Sequence, residues 1–74
     1  MSSTSASALQ ITLNGQPHPA AHLRHVSDLV AELGLDTRKV AVERNLALIP
    51  RSAYATTPIM DGDAIEIVGF IGGG

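Results

Sequence analysis

Val26-Ser27-Asp28-Leu29-Val30-Ala31-Glu32-Leu33-Gly34 carries apolar residues at positions 26, 29, 30 and 33. That is the i, i+3, i+4, i+7 spacing of one helical stripe. Ser27 has the side chain of an N-cap, and Asp28 and Glu32 suit the positive half of a helix. Gly34 stands where a helix ends in a left-handed residue, and Leu35 is expected to tuck back against it. One amphipathic helix needs one apolar surface to lie on, and the flanking sequence supplies it.

Upstream, Ala8 to Leu13 alternates, with Leu9, Ile11 and Leu13 on one face and Gln10 and Thr12 on the other, as in a half-buried strand. Asn14-Gly15 then marks a two-residue hairpin, because both residues tolerate positive φ. The returning segment from Gln16 to His22 holds Pro17 and Pro19, so that strand belongs at an edge. Downstream, Asp36 to Lys39 reads as a polar loop and Val40 to Glu43 as a strand with Val40 and Val42 inward. Asn45 turns the chain, Leu48-Ile49 returns briefly, and Arg51 to Pro58 reads as an irregular polar connection. Asp61-Gly62-Asp63 is a turn, and Ala64 to Val68 is the last strand, with Ile65 and Ile67 inward and Glu66 outward. A right-handed crossover through the helix makes the first and last strands a parallel central pair. The class is α+β: a mixed sheet of four to five strands wrapped on one main helix. Residues 1–7 read as a flexible polar tail, 8–71 as a single domain and 72–74 as a flexible glycine tail.

The chain has 74 residues and no cysteine. A domain of this size buries only about 60% of its unfolded surface, and disulfides cannot help it. The formal net charge is −2, without a basic run, and Tyr54 and Phe70 are the aromatics. That argues against nucleic acid as a partner. No stretch is long enough to span a membrane and the N-terminus lacks a signal pattern, so a soluble, cytoplasmic protein, monomeric when free, is expected.

Few residues invite catalysis. His18, His22 and His25 are close in sequence, but the prolines among them speak against a helix, Asp28 is poorly placed to join them, and exposed histidines without a metal are the expectation. Arg38, Lys39, Arg44 and Arg51 read as scattered surface charge, and Asp61 and Asp63 as turn residues. No Ser on a glycine-flanked elbow suggests a nucleophile. The remaining feature is Gly72-Gly73-Gly74, directly after Ile65 to Ile71. Glycines fit a channel too narrow for side chains, and a carboxylate on Gly74 would be little hindered. An idle chain end is the competing reading.

These residues together resemble the ThiS family of bacterial sulfur carriers, within the ubiquitin-like β-grasp proteins. The resemblance rests on Leu13-Asn14-Gly15, the helix from Val26 to Gly34, Ala41-Val42-Glu43 with Asn45, and Ile49-Pro50-Arg51. Gly62-Asp63 before Ile65 to Val68, and the final glycines, complete it. It covers nearly all of the chain from Leu9 onward. Three departures stand out: Asn45-Leu46 where the family often has Asn-Gly, His25 where it often has a threonine N-cap, and three glycines rather than two. Because leucine resists positive φ, a different turn is expected at Asn45-Leu46.

The resemblance implies a carrier rather than an enzyme. An adenylating partner resembling ThiF, using ATP and Mg²⁺, would activate the Gly74 carboxylate. A sulfur-donor protein would convert it to a thiocarboxylate, and a thiazole synthase resembling ThiG would receive the sulfur for thiamine. Gly72 and Gly73 would enter the partners' active sites, and this chain would bind no cofactor or metal itself. Strand parity puts Gln10, Thr12, Ala41, Glu43, Ala64, Glu66 and Val68 on the open sheet face, where Glu66 and Val68 are candidate partner-binding residues. Phe70 and Ile71 are further candidates, with Phe70 either anchoring an interface or closing the core. The alternatives are the small subunit of molybdopterin synthase, a ubiquitin-like protein modifier and a plain interaction module.

Overall fold

The computed structural model describes residues 9–69. Its strands are β1 (Gln10–Leu13), β2 (Gln16–Pro19), β3 (Val40–Arg44), β4 (Ala47–Ile49) and β5 (Ala64–Gly69), and its one α-helix is α1 (Val26–Glu32). The sheet order is β2-β1-β5-β3-β4, with β1 and β5 parallel and the other pairs antiparallel. This is the mixed β-grasp sheet expected from the sequence. The tail read over residues 1–7, and Phe70, Ile71, Gly72, Gly73 and Gly74, lie outside the described residues.

The turn chemistry explains the pairing. Asn14 and Gly15 have φ of 51° and 82°, the type I′ geometry that suits the twist of a hairpin. Leu13 and Gln16 close that turn as a hydrogen-bonded pair, so the alternation puts Thr12–Pro17 and Gln10–Pro19 at non-bonded positions. The Ala20 N–H donates to the Leu9 carbonyl at 3.0 Å, as the same alternation requires. Both prolines therefore sit where an N–H would point outward from the sheet edge, and the strand loses no bond to them.

Helix α1 buries Val26, Leu29 and Val30 completely. Leu33, expected on the stripe, is instead the C-cap and is 36% exposed. Gly34, with φ of 73°, donates to Ala31, and Leu35 donates to Val30, which makes a Schellman ending. The Leu35 backbone turns back as expected, but its side chain is 41% exposed. Ser27 is not the N-cap; His25 holds that place, and Ser27 lies in the first turn. Asp28 does the capping by reaching back to the N–H groups of Arg24 and His25, both at 3.0 Å. Those two bonds, together with the nearby charges of His25 and Arg24, hold the Asp28 carboxyl below its ordinary range. The next donors, Val26 and Ser27, bond to the carbonyls of Thr57 and Tyr54 at 3.0 and 2.9 Å.

The connection from Arg51 to Pro58 is therefore not the irregular polar link expected. It begins with a short 3₁₀ turn (Arg51–Ala53) and buries Tyr54, whose hydroxyl donates to the Val40 carbonyl at 3.4 Å. Ile59, just after it, is also in the core, alongside Ile11, Val42, Ile65 and Ile67. The loop from Asp36 is likewise a 3₁₀ turn (Thr37–Lys39), with Asp36 capping it and its carboxylate gripping the Arg38 side chain at 3.0 Å. That grip lowers Asp36 to about 2 and raises Arg38.

At the second hairpin the structure overturns the expectation of a different turn. Asn45 and Leu46 have φ of 53° and 72°, again type I′, so leucine is held in the left-handed region. Asn45 explains why. Its N–H donates to the Ala64 carbonyl at 2.7 Å, its Oδ1 accepts from the Ala64 N–H at 2.9 Å, and its Nδ2 donates to Asp63 at 3.0 Å. The strain falls on a side chain that is 89% exposed and buries almost nothing. Leu46→Gly is expected to stabilise the fold by about 1 kcal/mol, the left-handed penalty less the added chain entropy. Thermal unfolding should then shift upward by about 4–8 °C; an unchanged or lower midpoint would contradict it.

Candidate functional site

The chain leaves the sheet through β5, so the site is built around that strand. On one side β5 pairs with β3 from Arg44–Ile65 through Val40–Gly69. On the other side β1 supplies only two register pairs, Thr12–Ala64 and Leu13–Ile65. The Thr12 N–H reaches the Asp63 carbonyl and the Asn14 N–H reaches Ile65, each at 2.9 Å. Where β1 turns away, the Asn14 side chain takes the place of a further residue. Its Oδ1 accepts from the Ile67 N–H at 2.8 Å, and its Nδ2 donates to the Ile67 carbonyl at 3.3 Å.

The start of β5 is tied down by Asp63, which is 5% exposed. Oδ2 accepts from Arg44 Nε at 2.7 Å and from the Met60 N–H at 2.8 Å, while Oδ1 accepts from Asn45. Burial pushes the carboxyl up, but Arg44, the Met60 N–H and the Asn45 amide together bring it below its ordinary range. Asp63 is thus more than the turn residue the sequence suggested. Arg44, read there as surface charge, is its half-buried partner.

Glu66 and Val68 do lie on the open face, as parity required; both are exposed, Val68 by 60%. Glu43 is directly opposite Glu66 in the β3–β5 register, and Leu48 is opposite Glu43 on the other side. Sequence reasoning placed Glu43 on this face but missed Leu48, which is 68% exposed, and missed the facing carboxylates. Phe70, Ile71, Gly72, Gly73 and Gly74 belong to the same candidate site and lie outside the described residues.

The histidines behave differently from expectation. His18 and His22 meet at Glu32, not at Asp28: His22 Nε2 is 3.1 Å and His18 Nε2 is 3.7 Å from its two oxygens. His22 is exposed, but His18 is mostly buried and its Nε2 has no hydrogen-bond partner. Among the described residues no three such side chains are grouped to hold a metal, and no helix is long and apolar enough to cross a membrane.

The family model described as the ThiS family matches residues 11–74. The chain belongs to the ThiS family. The sulfur carrier protein ThiS of Bacillus subtilis is 43% identical over 49 residues, which is 66% of this chain and 74% of that one. A crystal structure of the thiamine biosynthesis protein ThiS from Geobacter metallireducens superposes with a TM-score of 0.72 at 34% identity, covering 88% of this chain and 99% of that one. A thiazole synthase of Paramagnetospirillum magneticum is 48% identical over 66 residues. The match takes in 89% of this chain, which spans only 20% of that relative's length. A second thiazole synthase, from Magnetococcus marinus, matches at 44% identity over the same share of its length.

Proposed function

We propose that this chain is a sulfur carrier for the thiazole of thiamine, with the Gly74 carboxylate as the atom group that is charged and discharged. The observation that carries this reading is the ThiS family match over residues 11–74, which takes in all three final glycines. The carboxylate attacks the α-phosphorus of ATP on an adenylating partner that uses Mg²⁺, and pyrophosphate leaves. The resulting acyl-adenylate has an electrophilic carbonyl, and a sulfur nucleophile displaces AMP. Hydrosulfide gives the thiocarboxylate directly; a protein persulfide gives an acyl persulfide, whose S–S bond a thiol then reduces to release it.

Gly72 and Gly73 supply reach without side-chain bulk. The folded body supplies the grip, through β5 and the open face that bears Glu66 and Val68. The receiving enzyme is a thiazole synthase. Two proteins so named contain, within one polypeptide, a segment 48% and 44% identical to this chain. Such an arrangement fits a carrier that delivers to that enzyme. The chain is then a cosubstrate and not itself a catalyst.

The test is the intact mass of the chain after incubation with the adenylating enzyme, Mg-ATP and a sulfur source. A gain equal to exchange of one oxygen for sulfur is expected, and it should vanish when Gly73 and Gly74 are deleted. An unchanged mass with an enzyme shown to be active would defeat the proposal.

A further inference from the structure

The first hairpin sets a chemically reactive pair of residues against the strand that leads to the glycine tail. Asn14 is followed by Gly15, so no side chain shields the peptide nitrogen next to the Asn14 amide. Both residues are exposed, and nothing lies within 4 Å of the place a Gly15 Cβ would take. The Asn14 amide itself is held. Its Oδ1 accepts from the Ile67 N–H at 2.8 Å, and its Nδ2 donates to the Ile67 carbonyl at 3.3 Å. The chain's other asparagine, Asn45, is followed by Leu46, whose bulk hinders the corresponding nitrogen, and its amide is bonded to Asp63 and Ala64.

We propose that Asn14 is a site of spontaneous deamidation, restrained by its contact with Ile67, and that its conversion loosens the outgoing end of β5. The Gly15 nitrogen gives up its proton to solvent base and attacks the Asn14 Cγ. The bond from Cγ to Nδ2 breaks, ammonia leaves with a proton from water, and a five-membered imide closes. Water then opens the imide at one of two bonds. Breaking the bond from the Gly15 nitrogen to Cγ leaves aspartate. Breaking the bond from that nitrogen to the Asn14 backbone carbonyl leaves isoaspartate, with the chain routed through the side chain and one methylene longer. The sum is asparagine and water giving the acid and ammonia, so no oxidant or reductant enters. Attack makes Cγ tetrahedral and expels Nδ2, which breaks the paired contact with Ile67. The reaction therefore proceeds from states in which the hairpin has parted from β5. Either product lacks the Nδ2 donor and sets a carboxylate against the Ile67 carbonyl. Isoaspartate also lengthens a two-residue turn that depends on type I′ geometry. The inference stands independently of the carrier chemistry.

The experiment ages the full chain in mildly alkaline buffer, native and in guanidinium chloride. Intact mass, peptide mapping and labelling by an isoaspartyl methyltransferase follow the product. The unfolded chain is expected to gain the mass of exchanging NH₂ for OH at residue 14. The native chain should do so more slowly by roughly tenfold or more, the factor that two ordinary hydrogen bonds supply. Asn45 should lag behind Asn14 in the unfolded chain. Asp61-Gly62 forms isoaspartate by the same route without a change of mass, so mapping keeps the two sites apart. Asn14→Asp carries the charge of the product, and its Ile67 amide should exchange faster than its Glu66 amide, each relative to the wild type. If that variant does not fold, the converted fraction of the aged wild type, separated by anion exchange, gives the same reading. An unfolded chain that keeps its Asn14 would overturn the site. Equal rates in the native and unfolded chains would overturn the restraint, and unchanged exchange at Ile67 in the converted protein would overturn the consequence.

Discussion

Asp63→Ala is expected to cost about 3 kcal/mol of folding stability, since it strips a mostly buried ion pair of one partner and strands the other. The Arg44 guanidinium loses its 2.7 Å acceptor, the Met60 N–H loses its bond, and Asn45 loses one of the contacts that hold the second hairpin. For a chain of 74 residues that loss is a large share of the total. Asp63→Asn, which keeps the shape but not the charge, should cost less than the alanine. The effect also has a pH signature. The Asp63 carboxyl lies below its ordinary range when folded, so the unfolded chain takes up its proton first as pH falls. Its contribution is complete above the unfolded value of about 3.9 and is lost as pH drops through the folded one. Urea unfolding at pH 7 and at pH 3 should therefore show the gap between wild type and Asp63→Ala narrowing in acid. A gap that stays constant would mean that the ion pair contributes nothing. Asp36, held at about 2 by Arg38, adds a second acid-sensitive group to the wild type, its contribution lost as pH falls from the unfolded value towards about 2.

The parts of this fold that were legible in the sequence are those with a local period. Alternation from Leu9 to Leu13 and from Ala64 to Val68, the stripe at Val26, Leu29 and Val30, and two prolines on one strand each have one reading that satisfies burial and backbone bonding. What escaped depends on contacts between distant segments. Tyr54 and Ile59 lie in a stretch with no period, and they enter the core because the carbonyls around Tyr54 cap the helix from outside. Leu46 adopts a backbone conformation it resists because Asn45 is locked by Asp63 and Ala64, far along the chain. The candidate site divides the same way. Parity was enough to place Glu66 and Val68 on the open face. That Glu43 faces Glu66, with Leu48 beyond, depends on register between three strands, which no local pattern encodes.

Asn14 is the residue whose role the turn chemistry concealed, and Asn14→Gly exposes it. Asn14 was legible as a positive-φ residue, and glycine satisfies that requirement at least as well. The turn should therefore survive the substitution. What glycine cannot supply is the amide that pairs with Ile67 at 2.8 and 3.3 Å, on the side of β5 that β1 no longer covers. Leaving a part-buried N–H and C=O without these partners is expected to cost about 2 kcal/mol. The loss should also be local. By the alternation of the ladder, the N–H of Glu66 points to β3 and that of Ile67 points to Asn14. Hydrogen exchange should accelerate at Ile67 well beyond the general destabilisation, while Glu66 follows the global change alone. Equal changes at the two amides would mean that Asn14 acts only through the turn. Selective loss at Ile67 would make Asn14 the group that keeps β5 straight beyond the end of β1, two residues before Gly69 and on the path to the glycine tail.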